Sequence, residues 1–329
     1  MYCLNKSIKI IINYLLAPVL FVVLCWSLYQ QIIHQPDLPT QWKHIQQSWV
    51  NPLCGLVGVL MIVNWGIETQ KWIVLMRPVE KLSFANAFRS VLAGCSITML
   101  TPNRIGEYGG RILYVQPENR LKGISLTILG SLSQLIITLV AGVAGLIAMK
   151  YFSPHAQPVF EHVPAFMEDI LLGASITVLV VLLLLYLNVH WFVVWMGRIK
   201  PMRRLMNHIA VLDQFSGKQL LRIILLSFFR YLVFILQYIV MLKVMQVEVD
   251  WVWSAWILSV FFLVMAMAPT IGFLELPIRA TATVELFGMY SSNVAGIQAA
   301  AFGIWLINLA IPALIGSLFV FGLKLIKEK

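Results

Sequence analysis

Long apolar runs, broken by short polar stretches, set the plan of this chain. At about 1.5 Å per residue, roughly 20 residues cross a hydrocarbon core of about 30 Å. Six runs have that length and read as spans: Ile10 to Ile33, Val50 to Ile67, Gly123 to Met149, Ile170 to Met196, Ile223 to Leu242 and Ala295 to Leu323. Two further runs, Phe84 to Leu100 and Val252 to Ala268, end in polar, proline-containing segments. The start is basic (Lys6, Lys9), but its apolar stretch is too long for a signal peptide and lacks a small-residue cleavage site, so it is expected to remain as the first span.

Lysine and arginine mark cytoplasmic loops. Lys71, Arg77 and Lys81 are read on one connection, Arg104, Arg111, Arg120 and Lys122 on the next, and Arg198, Lys200, Arg203, Arg204, Lys218 and Arg222 on a third. Lys324, Lys327 and Lys329 follow the last run. The stretches around Asp37, from Tyr151 to Asp169 and from Gln246 to Asp250 hold only Lys43, with Lys150 and Lys243 at their borders, and are expected outside. Were Phe84 to Leu100 a full span, every later loop would invert and the Arg198 to Arg222 segment would face outward. The charges therefore favour a re-entrant hairpin over 84–116 that enters from the cytoplasm and turns near Pro102, and one over 252–290 that enters from outside and turns near Pro269. Such broken backbone is tolerated at membrane depth where protein or a wet cavity surrounds it.

The expectation is an all-α polytopic membrane protein with six full spans and two re-entrant helical hairpins. Each half, 1–165 and 166–329, runs span, span, hairpin, span in opposite orientation, which makes an inverted repeat. Both termini fall in the cytoplasm, and the location is the cell membrane.

Composition agrees: 60% of residues are hydrophobic and 12% charged, too few polar side chains to cover a water-soluble globule. The formal charge of +10 is spread over short loops, where it fits topology and anionic lipid neighbours and not nucleic acid. Cys3, Cys25, Cys54 and Cys95 have no paired spacing, so neither disulfide nor metal site is expected. Phosphate-binding loops, zinc-protease, hydrolase and Cys-x-x-Cys motifs are absent, and no cofactor is expected.

The candidate chemistry lies in the two polar interruptions, Thr101 to Arg111 and Ala268 to Arg279. Each has a proline and a glycine (Pro102 and Gly106; Pro269 and Gly272), then a Glu and an Arg four positions apart, which share one helix face. Intramembrane charges are costly and usually functional. Glu107, Arg111, Glu275 and Arg279, with Arg104 near the first turn, are therefore candidate substrate-binding residues. The return arms are expected to begin new helices whose free N–H groups add affinity for phosphate, and the arginine forks suit phosphate oxygens. The plainer alternative is that each Glu/Arg pair only neutralises buried charge, and that Arg104 only sets topology.

Arg230 lies within an apolar span and calls for a partner inside the bundle; Glu68 is one option, although its place near a span end also suits a solvated helix terminus. Glu285 could support proton coupling or face the outer surface. Gly142 and Gly145, like Gly55 and Gly58, read as close-packing positions. Trp42, Trp49, Trp251 and Trp253 read as interface anchors. His155 and His162 lack metal-ligand company.

At the Thr101-Pro102, Gly106-Glu107 and Arg111 element and the Pro269, Gly272 and Glu275 element, the chain resembles the lysylphosphatidylglycerol synthase transmembrane family, a flippase-like membrane domain found alone or fused to an aminoacyl-lipid synthase. The resemblance extends over essentially the whole chain. In that family the first motif reads Pro-x-x-x-Gly-Glu followed by Arg, and the second has a Gly pair before the Glu; here one Gly of that pair is missing and Arg111 follows Glu107 by four positions. The resemblance implies movement of lipid between leaflets, with aminoacylated phosphatidylglycerol as one substrate among other phospholipids and glycolipids. No stretch is left for a soluble synthase domain, so the expectation is a stand-alone flippase or scramblase and not an enzyme. Its expected partners are anionic or zwitterionic lipids and a possible lipid-modifying enzyme. Two rivals stand beside it: a membrane-embedded transferase using Glu107 or Glu275 as general base, and a non-catalytic subunit of a lipid-modifying complex.

Overall fold

A computed structural model describes residues 51–99, 101, 105–152, 164–198, 206–267 and 275–326, with isolated positions before residue 51. Every described element is helical. The long ones are α1 (Pro52–Met76), α2 (Phe84–Thr98), α4 (Arg120–Phe152), α5 (Ala165–Leu187), α8 (Gly217–Val244), α9 (Trp251–Met267), α10 (Glu275–Phe287), α11 (Val294–Trp305) and α12 (Ile311–Ile326). Shorter helices are α3 (Gly106–Arg111), α6 (Val189–Arg198) and α7 (Met206–Ile209), and a π-helical turn, Leu306–Ala310, joins α11 to α12.

Among the described residues, five helical stretches are long and apolar enough to cross a membrane: Pro52–Met76, Pro117–Phe152, Phe166–Leu187, Gly217–Val244 and Val294–Val320. They coincide with five of the six expected runs and mark a membrane protein. The remaining run, Ile10 to Ile33, lies outside the described residues apart from isolated positions, as do Trp49, His155 and His162. The run from Ile170 to Met196 is not one helix: it ends at Leu187, Asn188 leaves helical geometry, and α6 follows.

Local chemistry sets several boundaries. Asn51 caps α1 by accepting from the Leu53 N–H at 3.0 Å, with Pro52 in the first turn. Ser216 and Gln219 form a reciprocal capping box at the start of α8. Asn293 accepts from the Gly296 N–H at 2.9 Å and donates to the Met245 and Gln246 carbonyls, tying the start of α11 to the end of α8. Gln246, just past that end, takes a left-handed φ of 59°.

α1 runs along α8. Around this pair the packing is reciprocal: α2 lies on α12, α9 lies on α4, α3 touches α4 and α10 touches α11. The α4–α9 contact is close because Gly142 and Gly145 present no side chain. A Cβ would stand 2.6 Å from the Leu263 Cβ at the first and 2.9 Å from the Trp256 carbonyl oxygen at the second. Gly55 and Gly58, expected to behave alike, have open space beside them among the described residues. α5 carries Ile170, Val178, Val181 and Leu184 outward, and lipid is the solvent that suits this apolar surface.

A candidate headgroup site around Glu68

α1 extends nine residues beyond the end of the apolar run read from the sequence, because the chain is apolar again from Trp72 to Met76. Glu68 and Lys71 therefore lie inside the helix and inside the protein, at 3% and 2% exposure. This corrects two expectations. Lys71 is not a loop charge, and Glu68 is not a solvated helix end. Glu68 is the hub of a charge cluster: its carboxylate meets the Lys71 Nζ at 2.8 Å, the Arg111 Nη2 at 2.5 Å and the Arg230 Nε at 3.3 Å.

Arg111 arrives from α3. That short helix can lie on α2 because Gly110 has no side chain: a Cβ there would stand 2.5 Å from the Ala93 carbonyl oxygen. The Ser90 hydroxyl donates to the Arg111 carbonyl at 2.7 Å. The same Arg111 Nη2 also meets Glu107 at 2.5 Å, and the guanidinium covers the Trp72 ring at 5.3 Å. The expected helix-end phosphate site is not present at this arm. The Gly106 N–H donates to the Thr101 hydroxyl at 2.7 Å, and six residues make a negligible dipole.

Arg230, on α8, finds the partner its depth requires. Besides Glu68 it donates to Asn64 at 3.0 Å and to Gln134 of α4 at 3.3 Å, and it packs over Trp65 and Phe234. On α10, Arg279 donates twice to Glu275, from Nε at 3.1 Å and Nη2 at 2.8 Å.

These groups face one cavity of about 560 Å³. Glu68, Lys71, Glu107, Arg111, Arg230, Glu275 and Arg279 line it, between walls that include Trp65, Phe234, Phe262 and Trp305. Thus the two Glu/Arg pairs meet across one space. Three carboxylates stand there against four cations, and the positive excess inside the protein suits an anionic occupant.

Asn308, on the π-helical turn, also lines the cavity. It donates to Gln237 at 2.9 Å, and Gln237 donates to the Val57 carbonyl at 2.9 Å, so a buried amide chain links α1, α8 and the last span. Glu285 does not line the cavity. Arg104, Pro102, Pro269 and Gly272 lie outside the described residues, whereas Gly106 begins α3. Sequence reasoning missed Lys71 as a site residue and undervalued Glu68. The available signal was the apolar run resuming directly after Lys71. Among the described residues, no group of three His, Cys, Asp or Glu side chains is placed to hold a metal ion.

No protein-family model matches this chain, and the search of curated proteins gives no match either.

Proposed function

We propose that this protein moves a lipid between membrane leaflets by holding its polar headgroup in the Glu68 cavity while the acyl chains stay in the bilayer. The observation that carries this reading is the convergence of Glu107/Arg111 and Glu275/Arg279 on one space, together with Glu68, Lys71 and Arg230. Its volume is in the range of small-molecule pockets, roughly 300–1,000 Å³, and suits a headgroup better than a whole lipid. The positive excess favours a headgroup carrying phosphate. The resemblance of the two motifs to the lysylphosphatidylglycerol synthase transmembrane family points the same way.

The proposed architecture has six spans, two re-entrant hairpins and two halves of opposite orientation, with both termini in the cytoplasm of a cell membrane. The reciprocal contacts support it: α2 of the first half lies on the last span of the second, and α9 of the second lies on the last span of the first. An inverted repeat, whose halves are related by a two-fold axis in the membrane plane, would produce such a pair of contacts. Cysteines placed singly at Lys122 and Asp250 of a cysteine-free variant test the orientation; the first reacts only from the cytoplasm and the second only from outside.

Function is tested by leaflet exchange of fluorescent phospholipids in proteoliposomes containing the purified chain. Exchange above empty liposomes, lost in Glu68→Gln, is the expected result. No exchange of any anionic or zwitterionic lipid by folded protein rejects the transport reading, and chemical conversion of the lipid in the same vesicles favours the transferase.

A further inference from the structure

We infer that the two half-sites, alike in sequence, are unequal in use: Arg279 is the specificity-determining residue that engages the occupant's phosphate-type anion, and Arg111 is a structural anchor. The inference rests on the headgroup reading of the cavity and deepens it.

Arg111 is enclosed and held through Nη2, while its Nε is buried out of reach of the cavity with no hydrogen-bond partner among the described residues. One nitrogen is held between two carboxylates, the guanidinium lies over Trp72, and only 4% of the side chain is exposed. Its stem is pressed by α2, where a Cβ added at Gly94 would stand 3.0 Å from the Arg111 Cγ. For Nη2 to take an anion it would have to leave Glu68 and Glu107 together, and reaching one with the enclosed Nε would mean moving the whole side chain, disturbing the carboxylate that also balances Lys71 and Arg230. Removing one partner of such a buried group is strongly unfavourable.

Arg279 is placed otherwise. Its ion pair is with Glu275 of its own helix, and the side chains are 14% and 16% exposed. Both nitrogens that bind Glu275 bind a single oxygen, Oε1. An incoming phosphate can therefore replace one carboxylate oxygen while Glu275 turns aside into the cavity, with no other ion pair among the described residues broken. The guanidinium fork presents two parallel donors to that anion.

The test uses the purified full chain in detergent. Its thermal unfolding is followed by tryptophan fluorescence, with dihexanoylphosphatidylglycerol as lipid probe and inorganic phosphate as free anion. Wild-type protein is stabilised; a response to the lipid alone identifies a headgroup, and a response to both identifies phosphate as such. Arg279→Gln unfolds close to wild type without ligand but needs roughly tenfold to hundredfold more of it for the same stabilisation. Arg111→Gln unfolds at lower temperature without ligand. If that variant does not fold, Arg111→Lys and Arg279→Lys are compared, and the Arg279 variant shows the larger loss of ligand response. An equal or larger loss at Arg111 overturns the inference while leaving the headgroup reading in place. A wild-type chain stabilised by neither probe, and moving no lipid, removes both.

Discussion

Glu68 and Arg111 are 43 residues apart in the chain and 2.5 Å apart in the protein, with both side chains 4% exposed. The contact joins helix α1 to the short arm α3, and Lys71, Arg230 and Glu107 assemble around it. A single carboxylate facing three cations is not an interchangeable member of the cluster.

Glu68→Gln leaves Lys71, Arg111 and Arg230 facing one another without their shared counter-charge. A loss of about 3–5 kcal/mol is expected, the range for breaking a buried pair. Lys71→Met leaves Glu68 with two guanidiniums and is milder, and adding it to Glu68→Gln recovers part of the loss. Thermal unfolding of the three purified variants decides this. Equal destabilisation by both single changes would show that Glu68 is not the hub.

Gly109 and Gly110 are neighbours with opposite surroundings. A Cβ at Gly109 meets nothing within 4 Å, whereas one at Gly110 stands 2.5 Å from Ala93 and Gly94 backbone atoms. Gly110→Ala therefore pushes α3 off α2, lowers stability and slows lipid exchange, because Glu107 and Arg111 move with it. Gly109→Ala is neutral or slightly stabilising, by up to about 1 kcal/mol, since alanine is the better helix former. Expression level, unfolding temperature and exchange rate of the two variants form a matched comparison.

Gln237 stands between Val57 and Asn308 in the buried amide chain. Gln237→Leu strands the Asn308 amide N–H, at about 1–3 kcal/mol for an unsatisfied group, while the Val57 carbonyl keeps its bond within α1. Gln237→Leu with Asn308→Leu is less destabilising than the sum of the single changes, because the second removes a group the first has orphaned. A double-mutant cycle by thermal or denaturant unfolding measures this coupling, and additive losses would mean that the amides act independently.

Glu107→Gln and Glu275→Gln each remove one partner of an arginine that lines the cavity. Both are expected to slow leaflet exchange by roughly tenfold or more, Glu107→Gln by unpairing the buried Arg111 anchor and Glu275→Gln by leaving Arg279 no counter-charge to return to when the anion departs. Unchanged rates in both folded variants would make the pairs structural.

The Glu/Arg pairs were legible in the sequence because four-residue spacing places side chains on one helix face whatever the tertiary structure. The need of Arg230 for a partner was legible from its depth in an apolar run. Glu68 and Lys71 were harder to place. A linear reading ends a span at the first charge, and spacing says nothing of α3 and α8 arriving at the same turn of α1. Gly142 and Gly145 pack as expected, whereas Gly55 and Gly58 meet no neighbour among the described residues, since small residues permit close approach without compelling it. The first helix-end phosphate site failed for a local reason: the Thr101 hydroxyl already occupies the Gly106 N–H.

The π-helical turn at Leu306–Ala310 has a consequence for how this chain tolerates length changes. Such a turn corresponds to one extra residue in an α-helix. Deleting one residue there would regularise the ladder and leave the helix after it in nearly the same phase, whereas deleting one just past the turn, at the start of α12, would rotate everything after it by roughly 100° about the helix axis. Gly316 would leave Leu92, whose carbonyl oxygen is only 1.9 Å from where a Gly316 Cβ would stand, and the Phe319 carbonyl would leave the Tyr114 hydroxyl that donates to it at 2.9 Å. The π-helical turn is therefore where this span can lose a residue, and a single-residue deletion within 306–310 is expected to be far milder than one between 311 and 316.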